Sequence, residues 1–355
     1  SWVQLQDIPF SGRGYSYGVA VGNKAYIGFG STSNGQYPVD WWEYDMDNDV
    51  WNQKSNFPGD GRQHPAMIVV NNKIYMGCGG NGNGNLGDWW EYDVLTDIWT
   101  QKSDLIANER HHPFYFGIGD YAYVGFGHGS NPGPTGSNIY NDFYKYDPTN
   151  DSWTQMANFP SEGRVAGTQF SYNGKGYILS GDGDDHGPLS SGEFWEYIPL
   201  NDSWNQLQSH PGGAIWAPGN FVIGCNVYFL LGQDWNTNIG IYPTSVYSYK
   251  LSEDTSTSNE SACNTYTWEG QTITSSGNLT HTYQNAVGCD SVHTLLVTIN
   301  SSTSNSYDTL SVIGSILWNG MPLNLSGDYS VTLINSVGCD SIVNLNLTVT
   351  TTGIS

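Results

Sequence analysis

The chain is predicted to be all-β: five copies of a four-stranded unit, followed by two smaller β modules. Three observations predict this. Glycine is abundant, at 44 of 355 residues, and aromatic residues make up 14%, a balance that suits short strands joined by tight turns. One long phrase recurs, as "WWEYDMDNDVWNQKSNFPGDGR" from Trp41, "WWEYDVLTDIWTQKSDLIANER" from Trp89, "FYKYDPTNDSWTQMANFPSEGR" from Phe143 and "FWEYIPLNDSWNQL" from Phe194. Between the copies stand paired apolar runs around a Gly, Asn or Asp turn, which is a hairpin signal.

The first two strands of each unit are read in "YGVAVGNKAYIGFG", "AMIVVNNKIYMGCGG", "FYFGIGDYAYVGFG", "GTQFSYNGKGYILSG" and "GNFVIGCNVYFLLG". The third is the aromatic run before the Asp/Asn turn, and the fourth carries a tryptophan. Trp2, Trp51, Trp99, Trp153 and Trp204 mark the fourth strands, at spacings of 49, 48, 54 and 51 residues. Tyr44, Tyr92, Tyr146 and Tyr197 each precede their tryptophan by seven positions. Large flat rings at fixed places fill the wedge-shaped gaps that twist leaves between sheets. The fifth unit stops after three strands at "SVYSYKL", and "SWVQL" at the start of the chain supplies a fourth. Pairing the two closes a ring and hides two sheet edges.

The period, the glycines after the second strand and the Tyr-to-Trp spacing resemble the kelch repeat family over residues 1 to about 251. The resemblance implies a five-bladed kelch-type β-propeller closed by the N-terminal strand. Two features depart from it. The usual double glycine is mostly Gly-Phe-Gly (Gly28 to Gly30, Gly125 to Gly127), and kelch propellers more often have six or seven units than five.

The four arginines, Arg13, Arg62, Arg110 and Arg164, share one place in the repeat, the loop that leaves the tryptophan strand. The fifth unit is read with Ala214 there. In a propeller that loop opens on one face, so the arginines are expected around one mouth. There they would bind an anion or a sugar acid, or pin their loops to neighbouring carboxylates and carbonyls. Two residues on stand Tyr15, His64, His112, Ala166 and Trp216, and after the second-strand glycines come Ser31, Gly80, His128, Asp182 and Gln233. These places vary between units, as a tailored surface on a fixed scaffold would. Tyr15 and Trp216 are expected to stack on a sugar ring, with His64, His112, His128 and Gln233 reading hydroxyls.

The net charge of −22 argues against nucleic acid as a partner, and no apolar run is long enough to span a membrane. A copper centre of the galactose oxidase type would need a cysteine beside His64, His112, His128 and Tyr15, and none is expected at the mouth. No carboxylate pair stands out for hydrolysis. "GDGDDHG" has the composition of a calcium loop, with Asp182, Asp184 and Asp185 as ligands, but lacks EF-hand spacing. No other cofactor is expected.

Residues 252–261 read as a polar linker, and two modules follow at 262–300 and 301–355, expected to be sandwich-like. Trp268 precedes Cys289 by 21 residues, as Trp318 precedes Cys339. Cys263 and Cys289 are read as a disulfide within the first module, which suits a small core outside the cell. Ile313 matches Cys263 in the second module, so Cys339 is left over, as a buried thiol or an intermolecular link. The "GCDS" modules resemble repeats near the C-termini of secreted Bacteroidetes proteins. That resemblance implies export by the type IX secretion machinery, a sorting domain after Ser355, and a secreted or outer-surface location. It also implies O-glycosylation at Asp-Ser/Thr-aliphatic triplets, at Ser291, Thr309 and Ser341. The function expected is recognition of a glycan or surface protein, with the C-terminal modules as a stalk. The alternatives are a structural part of a surface appendage or matrix, and a carbohydrate-active enzyme.

Overall fold

The computed structural model describes residues 2–133, 135–183, 187–234, 241–251, 254–284, 290–301 and 306–351. It is all-β, and divides into one unit of residues Ser1–Lys250 and a second of Leu251–Ser355.

In the first unit the repeats become antiparallel sheets in which strands pair in sequence order. The first holds Tyr17–Val21, Lys24–Gly28, Trp41–Asp45 and Val50–Lys54. Three more four-stranded sheets follow, ending at Ile98–Lys102, Ser152–Gln155 and Ser203–His210. The fifth holds Gly219–Ile223, Asn226–Leu230 and Val246–Lys250, three strands among the described residues. The expected fourth strand from the N-terminus does not pair there. Residues 2–13 form no strand, and Trp2 lies fully exposed.

The recurring Tyr and Trp stitch the second, third and fourth sheets each to the segment that follows the sheet before it. Tyr92 donates its hydroxyl to Asp97 (2.7 Å), and Asp97 also accepts the backbone N–H of Ser55 from the segment after the preceding sheet (2.9 Å). The Trp99 indole donates to the Ser55 carbonyl (3.1 Å). The same three bonds join Tyr44, Asp49 and Trp51 to Gln6, Tyr146, Asp151 and Trp153 to Ser103, and Tyr197, Asp202 and Trp204 to Ala157. Each of these aspartates has a left-handed backbone, φ 46° to 58°, a conformation Asp and Asn tolerate better than most residues. The seven-residue Tyr-to-Trp spacing is the length of that turn. Between sheets the rings pack into closed clusters, such as Trp41, Phe57, Tyr92 and Trp99.

In the second unit each module is a three-stranded sheet with one parallel pair. Asp254–Cys263 runs parallel to Asp290–Asn300, which pairs antiparallel with Gly277–Gln284. Ser306–Ile313, Asp340–Thr350 and Gly327–Ile334 repeat that order. A short hairpin, such as Ile316–Trp318 with Met321–Leu323, covers one face and buries Trp318 and Leu323 against Leu345 and Leu347. The module is therefore a sheet capped by a hairpin, where a sandwich was expected. Residues 254–261, expected as linker, are strand; their Ser/Thr alternation reads as polar because this is an edge strand.

The cysteines also differ from expectation. Cys263 bonds Cys339, with Cα atoms 5.6 Å apart, so the disulfide joins the two modules and Cys339 is no thiol. Cys289 lies outside the described residues. Cys263 ends the first strand of one module, and Cys339 stands just before the last strand of the next. Of the triplet hydroxyls, Thr309 is exposed and Ser291 half-buried, whereas Ser341 is buried.

Candidate functional site

After its second strand each unit takes two left-handed residues in succession: Phe29–Gly30, Cys78–Gly79, Phe126–Gly127, Ser180–Gly181 and Leu231–Gly232. The second must be glycine. A Cβ on Gly127 would stand 2.7 Å from the His111 carbonyl oxygen, and one on Gly79 2.7 Å from that of Gln63. The sharp turn lets the next residue bridge back to the incoming loop, pairing Ser31 with Gly14, Gly80 with Gln63, His128 with His111, Asp182 with Val165 and Gln233 with Trp216. One residue further, Tyr15, His64, His112, Ala166 and Ala217 all have φ between 47° and 56°.

This register corrects the reading of the fifth unit by one residue. Trp216 matches Gln63 and His111, and Ala217 matches His64 and His112. The arginine position is Ile215, not Ala214. The Ile215 carbonyl accepts from Gly181, as those of Arg62, Arg110 and Arg164 accept from Gly30, Gly79 and Gly127. Trp216 is half-buried, packed against Ile139, Val165 and Ala166. Gln233 exchanges backbone hydrogen bonds with it at 2.8 Å.

The arginines pin the scaffold and do not line a mouth. Arg62, Arg110 and Arg164 are fully buried, and the Arg13 side chain is only 3% exposed. Arg110 gives both terminal nitrogens to Asp142 (2.5 and 2.9 Å), a third bond to the Phe126 carbonyl (3.1 Å) and its Nε to the Asn108 carbonyl (2.9 Å). Arg62 does the same with Asp88, Cys78 and Asp60, and Arg13 grips Asp40 with two bonds. Arg164 reaches Glu193 at 2.7 Å. Each guanidinium also lies over a ring, Phe10, Phe57, Tyr140 or Phe159. Burial pushes the Asp88 carboxyl up, and the hydrogen bonds and charge of Arg62 more than reverse it. In the fifth unit the arginine and its carboxylate are lost together, replaced by Ile215 and Ser245.

Four histidines do converge. The His64 and His112 rings lie one over the other with centroids 3.4 Å apart, His111 lies 5.2 Å from His112, and His128 lies 5.0 Å from His111. Tyr15, largely exposed, covers His64 at 4.4 Å, and the Tyr17 hydroxyl meets His64 Nδ1 at 3.4 Å. Burial, followed by the charge of His111, lowers His64 to about 4, so it is neutral at pH 7. Overlaid rings are poor geometry for joint ligation. Among the described residues no cluster of three or more His, Cys, Asp or Glu could hold a metal ion. Asp182 is buried, which raises its carboxyl to about 7; Asp184 and Asp185 lie outside the described residues.

Beside the histidines opens a polar cleft of about 380 Å³. Gln63, His64, Asn81, Asn85, His111, His128, Ser130 and Asn138 contribute its polar side chains. No Asp, Glu, Lys or Arg is among its lining residues. Asn85 organises one wall: its Oδ1 meets His111 Nδ1 at 2.7 Å, and its amide donates to Ser130 Oγ (3.0 Å) and the His128 carbonyl (3.3 Å). Of the residues expected at the site, His64 and His128 line the cleft. Gln63, His111 and the Asn residues were not expected. For Ser130 and Asn138 the readable signal was the extra length between glycine pair and third strand in the third unit, which produced the 54-residue spacing; Gln63, Asn81, Asn85 and His111 carried no such signal.

No protein-family model and no curated protein matches the chain. Among solved structures it is similar to one described as "Structure of YjhT", with TM-score 0.56 and 16% identity over 83% of this chain and 97% of that chain. At that identity the likeness shows the fold alone, a β-rich repeat architecture.

Proposed function

We propose that the first unit is a five-bladed, kelch-like ring whose cleft between the second and third blades binds a neutral glycan. One observation carries the reading: a cleft of about 380 Å³ lined by Asn, Gln, His and Ser, with no Asp, Glu, Lys or Arg among its lining residues. Amides, hydroxyls and the neutral imidazole of His64 both donate and accept, which matches the vicinal hydroxyls of a sugar. With the arginines buried and paired, no guanidinium or ammonium group is among the lining residues to meet an acidic sugar.

The chain serves as an exported recognition protein at the outer surface of its cell, with the C-terminal modules as a stalk and type IX export as its route. The disulfide between the modules supports an oxidising location, and the joint it makes suits a spacer. The test is calorimetric titration of the full chain with neutral and acidic oligosaccharide panels, alongside Asn81→Ala and His128→Ala. Saturable binding of a neutral oligosaccharide, weakened about tenfold or more by either substitution, is the expected result. Binding restricted to acidic sugars, or none from either panel, overturns the reading.

A further inference from the structure

We infer that the first C-terminal module carries a second, separate glycan site, a shelf made by Trp268, Glu269, His281 and Tyr283. The two modules repeat one scaffold, with Trp268 and Trp318 standing 50 residues apart. At that offset Glu269 answers to Asn319, His281 to Val331, Tyr283 to Leu333 and His293 to Val343. The strand register agrees: His281 lies opposite His293 as Val331 lies opposite Val343. The hairpin turn is also shared, with Glu269 and Gly270 at φ 48° and 74° and Asn319 and Gly320 at 45° and 82°. The second module folds with Val, Leu and Asn at these places. Packing therefore does not account for the imidazoles, phenol and carboxylate of the first, and variation on a fixed scaffold marks a surface put to another use.

The hairpin of Tyr266–Trp268 and Gln271–Ile273 covers the sheet over Leu295 and Val297. Leu279, His281 and Tyr283 alternate along one strand and share that face, and past the hairpin turn the face lies open. The His281 side chain is 41% exposed and Tyr283 37%. Trp318 is buried in its module, whereas Trp268 is half-buried. The His281 ring lies 4.6 Å from that of Tyr283 and meets Trp268 edge-on at 5.9 Å. Tyr283 donates its hydroxyl to Glu269 Oε1. The other carboxylate oxygen stands 3.8 Å from His281 Nε2, too far for a hydrogen bond between them. A ligand hydroxyl at the apex of that pair donates to the carboxylate and accepts from the imidazole. His293 forms the floor, its ring nitrogens 2.6 and 2.9 Å from the hydroxyls of Ser256 and Ser258.

A pyranose fits this set. Its C–H face packs on aromatic rings, and its hydroxyls both donate and accept. The Glu269 carboxylate opposes an acidic sugar, so the ligand class is a neutral glycan. The stalk is then a binding element in its own right, and two sites on one chain hold a polymer more tightly than either alone.

This site does not rest on the cleft of the first unit. The test is calorimetric titration of the full chain with cello-, manno-, xylo- and N-acetylchito-oligosaccharides. The parent is compared with Asn81→Ala and with the triple variant Glu269→Asn, His281→Val, Tyr283→Leu. The triple variant writes the second module's residues into the first, so the scaffold is known to carry them. Two sites per chain are expected, one lost in the triple variant and the other weakened by Asn81→Ala. In the parent, saturating ligand should slow nitration of Tyr283 by tetranitromethane about threefold or more. A single site lost only in the triple variant supports the shelf and overturns the cleft. A single site sensitive to Asn81→Ala and indifferent to the triple variant overturns the shelf and leaves the cleft standing. Unslowed nitration of Tyr283 under saturating ligand overturns the shelf, and no binding at all overturns both sites.

Discussion

Replacing Arg110 with alanine separates a scaffold arginine from a ligand-binding one. The side chain is fully buried, makes four hydrogen bonds and lies 4.6 Å over the Tyr140 ring. Its removal leaves Asp142, itself 4% exposed, with the Tyr144 hydroxyl at 3.1 Å in place of a guanidinium fork. Breaking one partner of a buried pair costs about 3–5 kcal/mol, chiefly through the charge left behind. For a domain of this size that is a fall of roughly 6–20 °C in the Tm of the first unit. Adding Asp142→Leu should recover part of the loss, because two charges then leave the interior together. Differential scanning calorimetry of both variants reads the effect, with glycan titration below the lowered Tm as the second measurement. An unchanged Tm with ligand binding abolished would refute the scaffold role and return the arginine to the site.

Three further outcomes follow from the same geometry. Asp97→Ala leaves the Tyr92 hydroxyl and the Ser55 N–H without their acceptor and puts alanine at φ 58°. It should cost about 2–4 kcal/mol, against about 1–2 for Asp97→Asn, read by urea unfolding. The pH dependence has two opposed parts. His64, lowered to about 4, takes its proton more readily unfolded, so stability of about 3 kcal/mol is lost as pH falls from 6.5 to about 4. Asp182, raised to about 7, holds its proton more tightly folded, so its contribution is lost as pH rises from 3.8 to about 7. Asp182→Asn should unmask the acid loss of His64, and His64→Gln the opposite slope, in Tm measured from about pH 4 to 8. Reducing Cys263–Cys339, which closes a separation of 76 residues, should destabilise the second unit by about 4 kcal/mol on chain entropy. Its melting with and without reductant reads this.

The sheets were legible because their signals are local. Tyr92 and Trp99 sit seven apart because Asp97 must reach both the Tyr92 hydroxyl and the segment that follows the sheet before it, and a repeat prints that spacing four times. The shared place of the arginines was equally plain, but their partners were not. Asp88 lies 26 residues from Arg62 and Asp142 lies 32 from Arg110, and whether a guanidinium faces solvent or a carboxylate depends on how sheets abut. The fifth-unit slip had a local remedy. Each arginine follows its tryptophan by 11 residues, and Trp204 plus 11 is Ile215, so the tryptophan spacing outranks the resemblance between loops. The Cys263–Cys339 pairing was hidden for a different reason: a lone module suggests an internal bridge, and only the packing of two modules brings the end of one strand to the start of the other.

The fate of the arginines fixes the electrostatics of the cleft. The chain carries 33 acidic and 11 basic residues, and its four arginines all spend their charge inside the scaffold. An acidic ligand would therefore approach a surface of net charge −22 with no arginine or lysine among the cleft's lining residues to meet it. A neutral ligand gains from hydrogen bonds alone, and these are short-ranged. Exposed charges are screened beyond about 10 Å at 0.1 M salt, so a ligand bound through charge should respond to ionic strength and one bound through amides and imidazoles should not. The Kd of a neutral oligosaccharide is expected to change less than about twofold between roughly 0.05 and 0.5 M sodium chloride. Affinity that rises with salt would mean the acidic surface repels the ligand, and affinity that falls would mean a cation contacts it. Either result would contradict a cleft that works through uncharged side chains.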